Sequence, residues 1–473
     1  MNSPTHRRWL SAVLLSVPGI AVAETSQFRG PSGNGVIDRT LPVTWDAASI
    51  DWSVEIPGGG WSSPTVVGDT VFLTTAVPVV EGGADADGGA DADGGADGSG
   101  GADGGGGADG GGAGRPVGFG PGVQQMGRFF AQGKPDTPHE FQIHALHLSD
   151  GSPRWARTVE TEIPPHKIHP SNTYATESPV ADADRVYAFF AAIGLVVAVD
   201  HDGDEAWRAD VGSYRTGSDF GTASSPVLHD GRLFIQCDNE EQSFVVALDA
   251  ATGDEVWRDP HEGGTSWSSP VIWDNDAGTV LVTCAAGQII AYDPADGTRV
   301  WRCKTAGGAY SATPTFDRQR IYVGKSSQNS RGPLLAISCD ARGEFTSDDA
   351  GVDGSPVVWS VDNAAPAMSS AVVADGRVYV ISRGILAAHD VETGRRIFRE
   401  RLDDASGVMA SLWSDGDHVY VLTEDAKTLV VATGDDYELA AENELDGLVW
   451  STPVITDDAM LIRTSDRLIR LPL

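Results

Sequence analysis

The chain has 473 residues, with 33 Lys+Arg against 67 Asp+Glu and a formal net charge of −34. That balance excludes the basic footprint of a non-specific nucleic-acid binder and argues against docking on anionic lipid. Hydrophobic residues make up 41% and Trp numbers 13, enough for a large core, so global disorder is excluded as well.

The N-terminus reads as a secretory signal. His6, Arg7 and Arg8 supply positive charge, Trp9 to Ala21 form a short apolar run, and Ala21-Val22-Ala23 offers a cleavage pattern before Glu24. The run is too short for a comfortable bilayer span, so residues 1–23 are expected to be removed on export to the periplasm or the extracellular space. No later stretch reaches transmembrane length, and no Cys follows the signal to carry a lipid. Cys237, Cys284, Cys303 and Cys339 form neither a C-x-x-C nor an adjacent pair. A zinc site or thioredoxin-like motif is therefore not indicated, and buried free thiols are expected.

After an extension at 24–50, one pattern accounts for residues 51–473. A Ser/Thr-rich start leads into an apolar strand at WSSPTVV (61–67), TESPVAD (176–182), ASSPVLH (223–229) and WSSPVIW (267–273). It recurs at YSATPTF (310–316), MSSAVVA (368–374), MASLWSD (409–415) and WSTPVIT (450–456). Spacings run from 41 to 57 residues, apart from one of 115 that contains an insert at about 81–138. Such periods fit four-stranded propeller blades. Within the insert, residues 82–114 repeat Gly-Gly-Ala-Asp without a basic residue; they cannot bury a core and read as a flexible loop.

Each repeat continues through a tight Asp/Gly turn into a second strand, and then through a third strand and turn best seen in ALDAATGDEVW (247–257). There Gly accepts a positive φ and Asp bonds nearby backbone. A Trp opens the fourth strand and is placed to pack between blades, as Trp155, Trp207, Trp257 and Trp301, with Phe398 substituting and Trp359 following a longer turn. Repeat seven has no aromatic match. The eighth repeat has room for three strands only, and the missing one, with its Trp, lies at 51–56. Pairing the two ends would close the ring and leave no exposed terminal edge. The fold expected is all-β: one eight-bladed propeller closed by its N- and C-terminal strands.

This grammar resembles the PQQ-like (pyrroloquinoline-quinone-like) β-propeller repeat family, which includes the quinoprotein alcohol dehydrogenases and the outer-membrane assembly factor BamB. The resemblance rests on the A-x-D-x-x-T-G-x-x-x-W pattern. QFRGPSGNG (27–35) and IPGGGWSSP (56–64) look like the opening of an exported bacterial branch. It implies either a binding scaffold or a dehydrogenase that holds PQQ and calcium, since this fold hosts both.

Loops alternate between two ends of a propeller. Connections from first to second and from third to fourth strands are nearly all short here, whereas 163–175, 211–222, 236–243, 325–333 and the insert share the opposite end. Elaborated loops on a rigid scaffold are the usual place for binding. The candidate ligand-face residues are His169, Asn172, Tyr174, Glu177, Asp219, Phe220 and Asp238, with Trp61, Trp267, Tyr310 and Trp450 at the expected channel mouth. His166, Lys167, Tyr214, Arg215, Asn239, His261, Gln328 and Asn329 share that end. Two readings stand side by side: an aromatic-rimmed polar funnel for a small molecule or extended peptide, or aromatics packing inter-blade gaps while polar groups cap loop backbone.

Glu177, Asp219 and Asn172 carry the oxygens a calcium ion would need. The dehydrogenase branch of the family, however, implies a disulfide between adjacent cysteines beside its quinone, which this chain lacks. No G-x-S-x-G, P-loop or H-E-x-x-H motif supplies another catalytic handle. The reading is an exported, non-catalytic scaffold without a resident cofactor that binds a polypeptide or another cell-envelope component. The alternatives are a PQQ- and calcium-dependent dehydrogenase and a carbohydrate-binding propeller.

Overall fold

Short runs rich in Val, Ile, Leu and aromatic residues, cut by Asp/Gly turns, fold as antiparallel strands because alternate side chains can then enter the gaps between neighbouring sheets. A computed structural model describes residues 27–79, 135–326, 331–403, 405 and 407–473. The expected signal at 1–23, most of the insert, and Gln328 and Asn329 lie outside the described residues. Eight sheets result. Blades one to seven span 65–162, 180–210, 227–260, 271–304, 315–361, 372–401 and 413–444, their strands hydrogen-bonded in chain order from first to fourth. First strands of successive blades touch one another, so they line the axis.

Blade eight is built from both ends of the chain. Its first three strands are Val454–Ile455, Ala459–Arg463 and Arg467–Pro472, and Trp52–Glu55 is its outer strand. The pairing is antiparallel, with Trp52 opposite Arg470 and Glu55 opposite Arg467. Arg470 reinforces the closure through ion pairs to Asp51 and, at 2.7 Å, to Asp458. The propeller is thus closed by its termini.

The repeat motif has a physical role that joins blade to blade. The indole N–H of each outer-strand Trp donates to a carbonyl in the third-to-fourth turn of the next blade. Trp52 reaches Leu148 at 3.0 Å, Trp155 reaches His201 at 2.8 Å, Trp207 reaches Ala250 at 2.9 Å, Trp257 reaches Pro294 at 3.2 Å and Trp359 reaches Val391 at 3.0 Å. The turn glycine lies flat against the ring: Gly253 has φ +79°, and a β-carbon there would sit 2.5 Å from Trp207. Across the sheet every one of these Trp residues except Trp52 faces an alanine, as Trp257 faces Ala247, which leaves room for the ring.

Three blades depart from this rule. In blade six the position holds Phe398, opposite Ala388, and its ring has no N–H to donate. After blade four the next third-to-fourth turn is replaced by 339–356, whose strand Gly343–Thr346 pairs in parallel with Arg299–Lys304 as a fifth strand. Trp301 there packs on Phe345 at 5.8 Å instead. In blade seven the Trp position holds Ala441, opposite Val430. The extension supplies the missing ring: Trp45 joins the cluster containing Tyr420, Val430 and Ala441. Its amide donates to Asn443 Oδ1 at 2.7 Å, while Asn443 Nδ2 donates to Val43 O at 3.0 Å.

The remainder of the extension closes one end of the axis. From Trp45 the chain runs back beneath the short turns, pairing Ile37 with Ser414 and Leu41 with Asp415. Residues 27–35 then turn into the axial opening. Phe28 shares a cavity wall with Pro226, Val227, Pro270 and Val271 of blades three and four. Arg29, 4% exposed, donates to the carbonyls of Pro314 in blade five, at 3.2 Å, and Ala371 in blade six, at 2.5 Å. Gly35 accepts from Ser414 in blade seven at 3.0 Å. Five blades therefore grip one stopper.

Candidate binding face

The Ser/Thr residue that starts each inner strand builds a closed belt around the axis. The amide of Ser63 donates to Ser178 Oγ, Ser178 to Ser225, Ser225 to Ser269 and Ser269 to Thr313. The amide of Thr313 then reaches Ser370, Ser370 reaches Ser411, Ser411 reaches Thr452, and Thr452 returns to Ser63. Eight bonds of 2.9 to 3.4 Å make one turn, one per blade. A buried amide without a partner costs about 1–3 kcal/mol, which explains why every repeat needs a hydroxyl at this position. Arg463 adds a clasp between blades eight and one, donating to Ser62 O and Thr74 O at 2.9 Å each. Its wholly buried guanidinium has a pKa lowered to about 9 by that burial.

Above the belt the long loops converge, with the axis stoppered beneath them by Arg29 and its neighbours. The structure joins most of the candidate aromatics into one arc. Trp450 stacks on Trp61 with centroids 5.1 Å apart, and Trp61 Nε1 donates to Ser171 O at 3.0 Å. His169 Nδ1 meets Ser171 Oγ at 2.6 Å, and its ring stacks on Phe220 at 4.8 Å. Phe220 in turn meets Trp267 edge-on at 5.9 Å, and Trp267 Nε1 donates to Gly221 O at 2.8 Å. These rings therefore hold the loops to one another as well as forming a rim. Tyr310 stands apart from the arc: it is 1% exposed, lies in the core between blades four and five, and bonds Thr305 through its hydroxyl at 2.9 Å.

The polar candidates divide. Asn172 Nδ2 donates to Phe220 O at 2.8 Å and Thr222 O at 3.0 Å, while its Oδ1 accepts from the Thr173 amide at 2.7 Å and from the Thr176 hydroxyl. Tyr174 packs edge-on against His139 at 5.0 Å, and burial pushes its hydroxyl up to about 12. Asp219, half-buried with φ +55°, pairs with Lys167 at 3.1 Å. Burial lowers the His169 pKa.

Asp238 is buried, with Oδ1 at 2.7 Å from His261 Nε2 and Oδ2 accepting from Gln236 Nε2 at 2.8 Å. Burial raises its pKa, and the His261 contact offsets part of that rise. Glu177 is 1% exposed, and neither carboxylate oxygen has a donor at hydrogen-bonding geometry. Burial pushes it up to about 7, against a smaller pull from the nearby Thr222 hydroxyl and the amides of Ala191 and Thr176.

Asn172, Asp219 and Glu177 do not form a calcium cage. The first is spent on loop backbone, the second is paired with a lysine, and the third is buried beneath them. Among the described residues no group of three or more His, Cys, Asp or Glu is placed to hold a metal ion. All four cysteines are free thiols, Cys284 and Cys303 buried and Cys237 and Cys339 half-buried. These residues do not fit a calcium–quinone centre.

Sequence reasoning missed three features: the hydroxyl belt, Glu240 on this face, and the stopper at 27–35 at the opposite end. Glu240 clips two loops together, Oε1 accepting from the Thr265 amide at 3.0 Å and its hydroxyl at 2.7 Å. The repeated Ser/Thr before each inner strand was the available signal for the belt.

Residues 241–409 match the family described as outer membrane protein assembly factor BamB. The fold is similar to BamB from Moraxella catarrhalis, with TM-score 0.51 and 14% identity over 70% of this chain and 88% of that one. It is also similar to a quinohemoprotein alcohol dehydrogenase from Comamonas testosteroni, with TM-score 0.57 and 11% identity over 95% of this chain and 80% of the other. A search of curated proteins finds no significant match. At such identities the likeness is one of fold.

Proposed function

We propose that this eight-bladed propeller, whose residues 241–409 match the family described as outer membrane protein assembly factor BamB, is an exported binding scaffold that takes a polypeptide of the cell envelope on its long-loop end. The observation that carries the reading is the asymmetry of the axis. One end is stoppered by Phe28, Arg29 and Gly35 across five blades, while the other is surrounded by loops held by the arc from Trp450 to Trp267. Loops ordered before binding lose less entropy on association, which favours recognition of an extended partner. Asn172, Asp219 and Asp238 are spent on structural partners, which suits a scaffold.

A photoreactive residue placed at Lys167 or Arg215, and at Thr252 or Glu392 on the short-turn end, tests this in cells of the source organism. Discrete, reproducible cross-linked polypeptides from the first pair alone support the proposal. Equal cross-linking from both ends, or none, overturns it.

A further inference from the structure

The outer strands of blades one to four neutralise the arginines they carry. Arg154 and Arg157 of blade one pair with Asp69 at 2.5 Å and Asp204 at 3.8 Å. Arg208 of blade two and Arg258 of blade three each meet the glutamate three residues earlier, Glu205 at 2.6 Å and Glu255 at 2.9 Å. Blade six breaks this pattern. Its outer strand Arg396–Arg401 reads Arg-Ile-Phe-Arg-Glu-Arg, and Arg396, Arg399 and Arg401 are all exposed. Among the described residues none of the three pairs with a carboxylate, although the protein carries two acidic residues for each basic one. Arg401 has the Arg383 carbonyl at 3.4 Å.

The same pattern occurs in blade four, and there the edge is occupied. Arg299–Lys304 reads Arg-Val-Trp-Arg-Cys-Lys, matching blade six in its three cations, its branched apolar residue and its aromatic ring. The strand Gly343–Thr346 adds to that edge in parallel, with Glu344 opposite Arg302. Residues two apart share a face of a strand, so Arg302 and Lys304 point the same way. The Glu344 carboxylate lies 3.0 Å from Lys304 and 3.9 Å from Arg302, and one acid serves both. This strand comes from 339–356, the segment that replaces the third-to-fourth turn of blade five. The corresponding turn of blade seven, 433–438, is short. It brings Tyr437 onto Phe398 at 6.1 Å, and among the described residues no strand pairs with the outer edge of Arg396–Arg401.

An open edge offers unpaired backbone groups to an added strand, and the side chains along it decide which strand is accepted. Like charges facing one another across strands are unfavourable, so three arginines disfavour a basic strand and a second copy of the same edge. We propose that Arg396–Arg401 is a docking edge for an extended acidic segment of a partner polypeptide. The segment adds as a parallel fifth strand and sets a carboxylate between Arg399 and Arg401, as Glu344 sits between Arg302 and Lys304. Glu400 stands where blade four has Cys303, opposite Phe345, and so disfavours a second carboxylate at the next position. This surface lies on the rim of the ring and does not depend on the long-loop end.

Fluorescence anisotropy of a labelled peptide with the sequence of residues 341–349, titrated with the full mature chain at low salt, tests the edge. Saturable binding is expected, at least fivefold weaker for the peptide carrying Glu344→Lys and for the protein carrying Arg399→Ser with Arg401→Ser. Both arginines are exposed, so that variant should keep the melting temperature of the wild type, and lost binding then reports the edge. No binding to the wild type, equal binding of the two peptides, or unchanged affinity in the double variant overturns the proposal. A dimer of the wild type that dissociates in the double variant would place a second copy on the edge and overturn it as well.

Discussion

The backbone amide of Thr452 donates to Ser63 Oγ at 3.2 Å, across 389 residues of chain, and this bond completes the belt of eight around the axis. Each belt hydroxyl accepts from the previous blade while its own amide serves the next. Ser63→Ala orphans the buried Thr452 amide and should cost about 1–3 kcal/mol. Urea unfolding of the two proteins measures it. A loss below about 0.5 kcal/mol would mean that the belt accompanies closure without contributing to it.

The Trp–turn contact makes a second, sharper expectation. At Gly253 a methyl group meets the Trp207 ring at 2.5 Å on a backbone of φ +79°. Gly253→Ala should destabilise by more than about 1 kcal/mol, from strain and overpacking together. The same change at Gly231, with φ +70° and nothing within 4 Å, should cost only the backbone part. Thermal unfolding of both variants separates the packing contribution from the conformational one.

Arg29 should matter out of proportion to its position in the extension. Its guanidinium bonds three carbonyls, those of Pro314, Ala371 and Asn34. Arg29→Ala is expected to lower stability by about 1–3 kcal/mol while the far-ultraviolet spectrum stays that of the folded ring. Deleting 24–56 is different in kind, because it also removes the outer strand Trp52–Glu55 and reopens a sheet edge. Loss of cooperative unfolding is expected for that deletion and not for Arg29→Ala.

How much of this was legible in the sequence follows from the range of each interaction. Turn chemistry is local, so the Asp, Gly and Trp of ALDAATGDEVW mark blades directly, and the unpaired strand at 51–56 reveals the closure. The partner of Arg29 is not local: Ala371 lies 342 residues away, and nothing near Arg29 announces it. Trp45 was equally silent, since its role becomes visible only beside Ala441 in blade seven. Among the site candidates, the aromatics were recognisable as a group, yet their mutual stacking depends on loop conformation. The strand Gly343–Thr346 pairs with an edge from the preceding blade, an arrangement no repeat pattern encodes.

Glu177 carries a pH dependence of defined sign. Its folded-state pKa near 7 lies above the 4.5 of a free carboxyl, so the native state keeps a proton that the unfolded chain loses between those values. Stability from this group therefore falls as pH rises through that window, by up to about 3 kcal/mol. Glu177→Gln should match the wild type near pH 4 and exceed it near pH 8 in melting temperature. Buried His144, with its pKa lowered to about 4 by burial and the nearby Arg463 charge, acts oppositely, losing stability as pH falls below 6.5. The two effects separate because only the first disappears in the Gln variant.

The central claim is that this propeller binds rather than catalyses. Titration of the purified mature protein with PQQ and calcium, followed by absorbance alongside a dye-linked alcohol dehydrogenase assay, tests it most directly. The account predicts no saturable quinone binding and no turnover. Saturable binding accompanied by turnover would contradict it and make the loops at 163–222 a catalytic site.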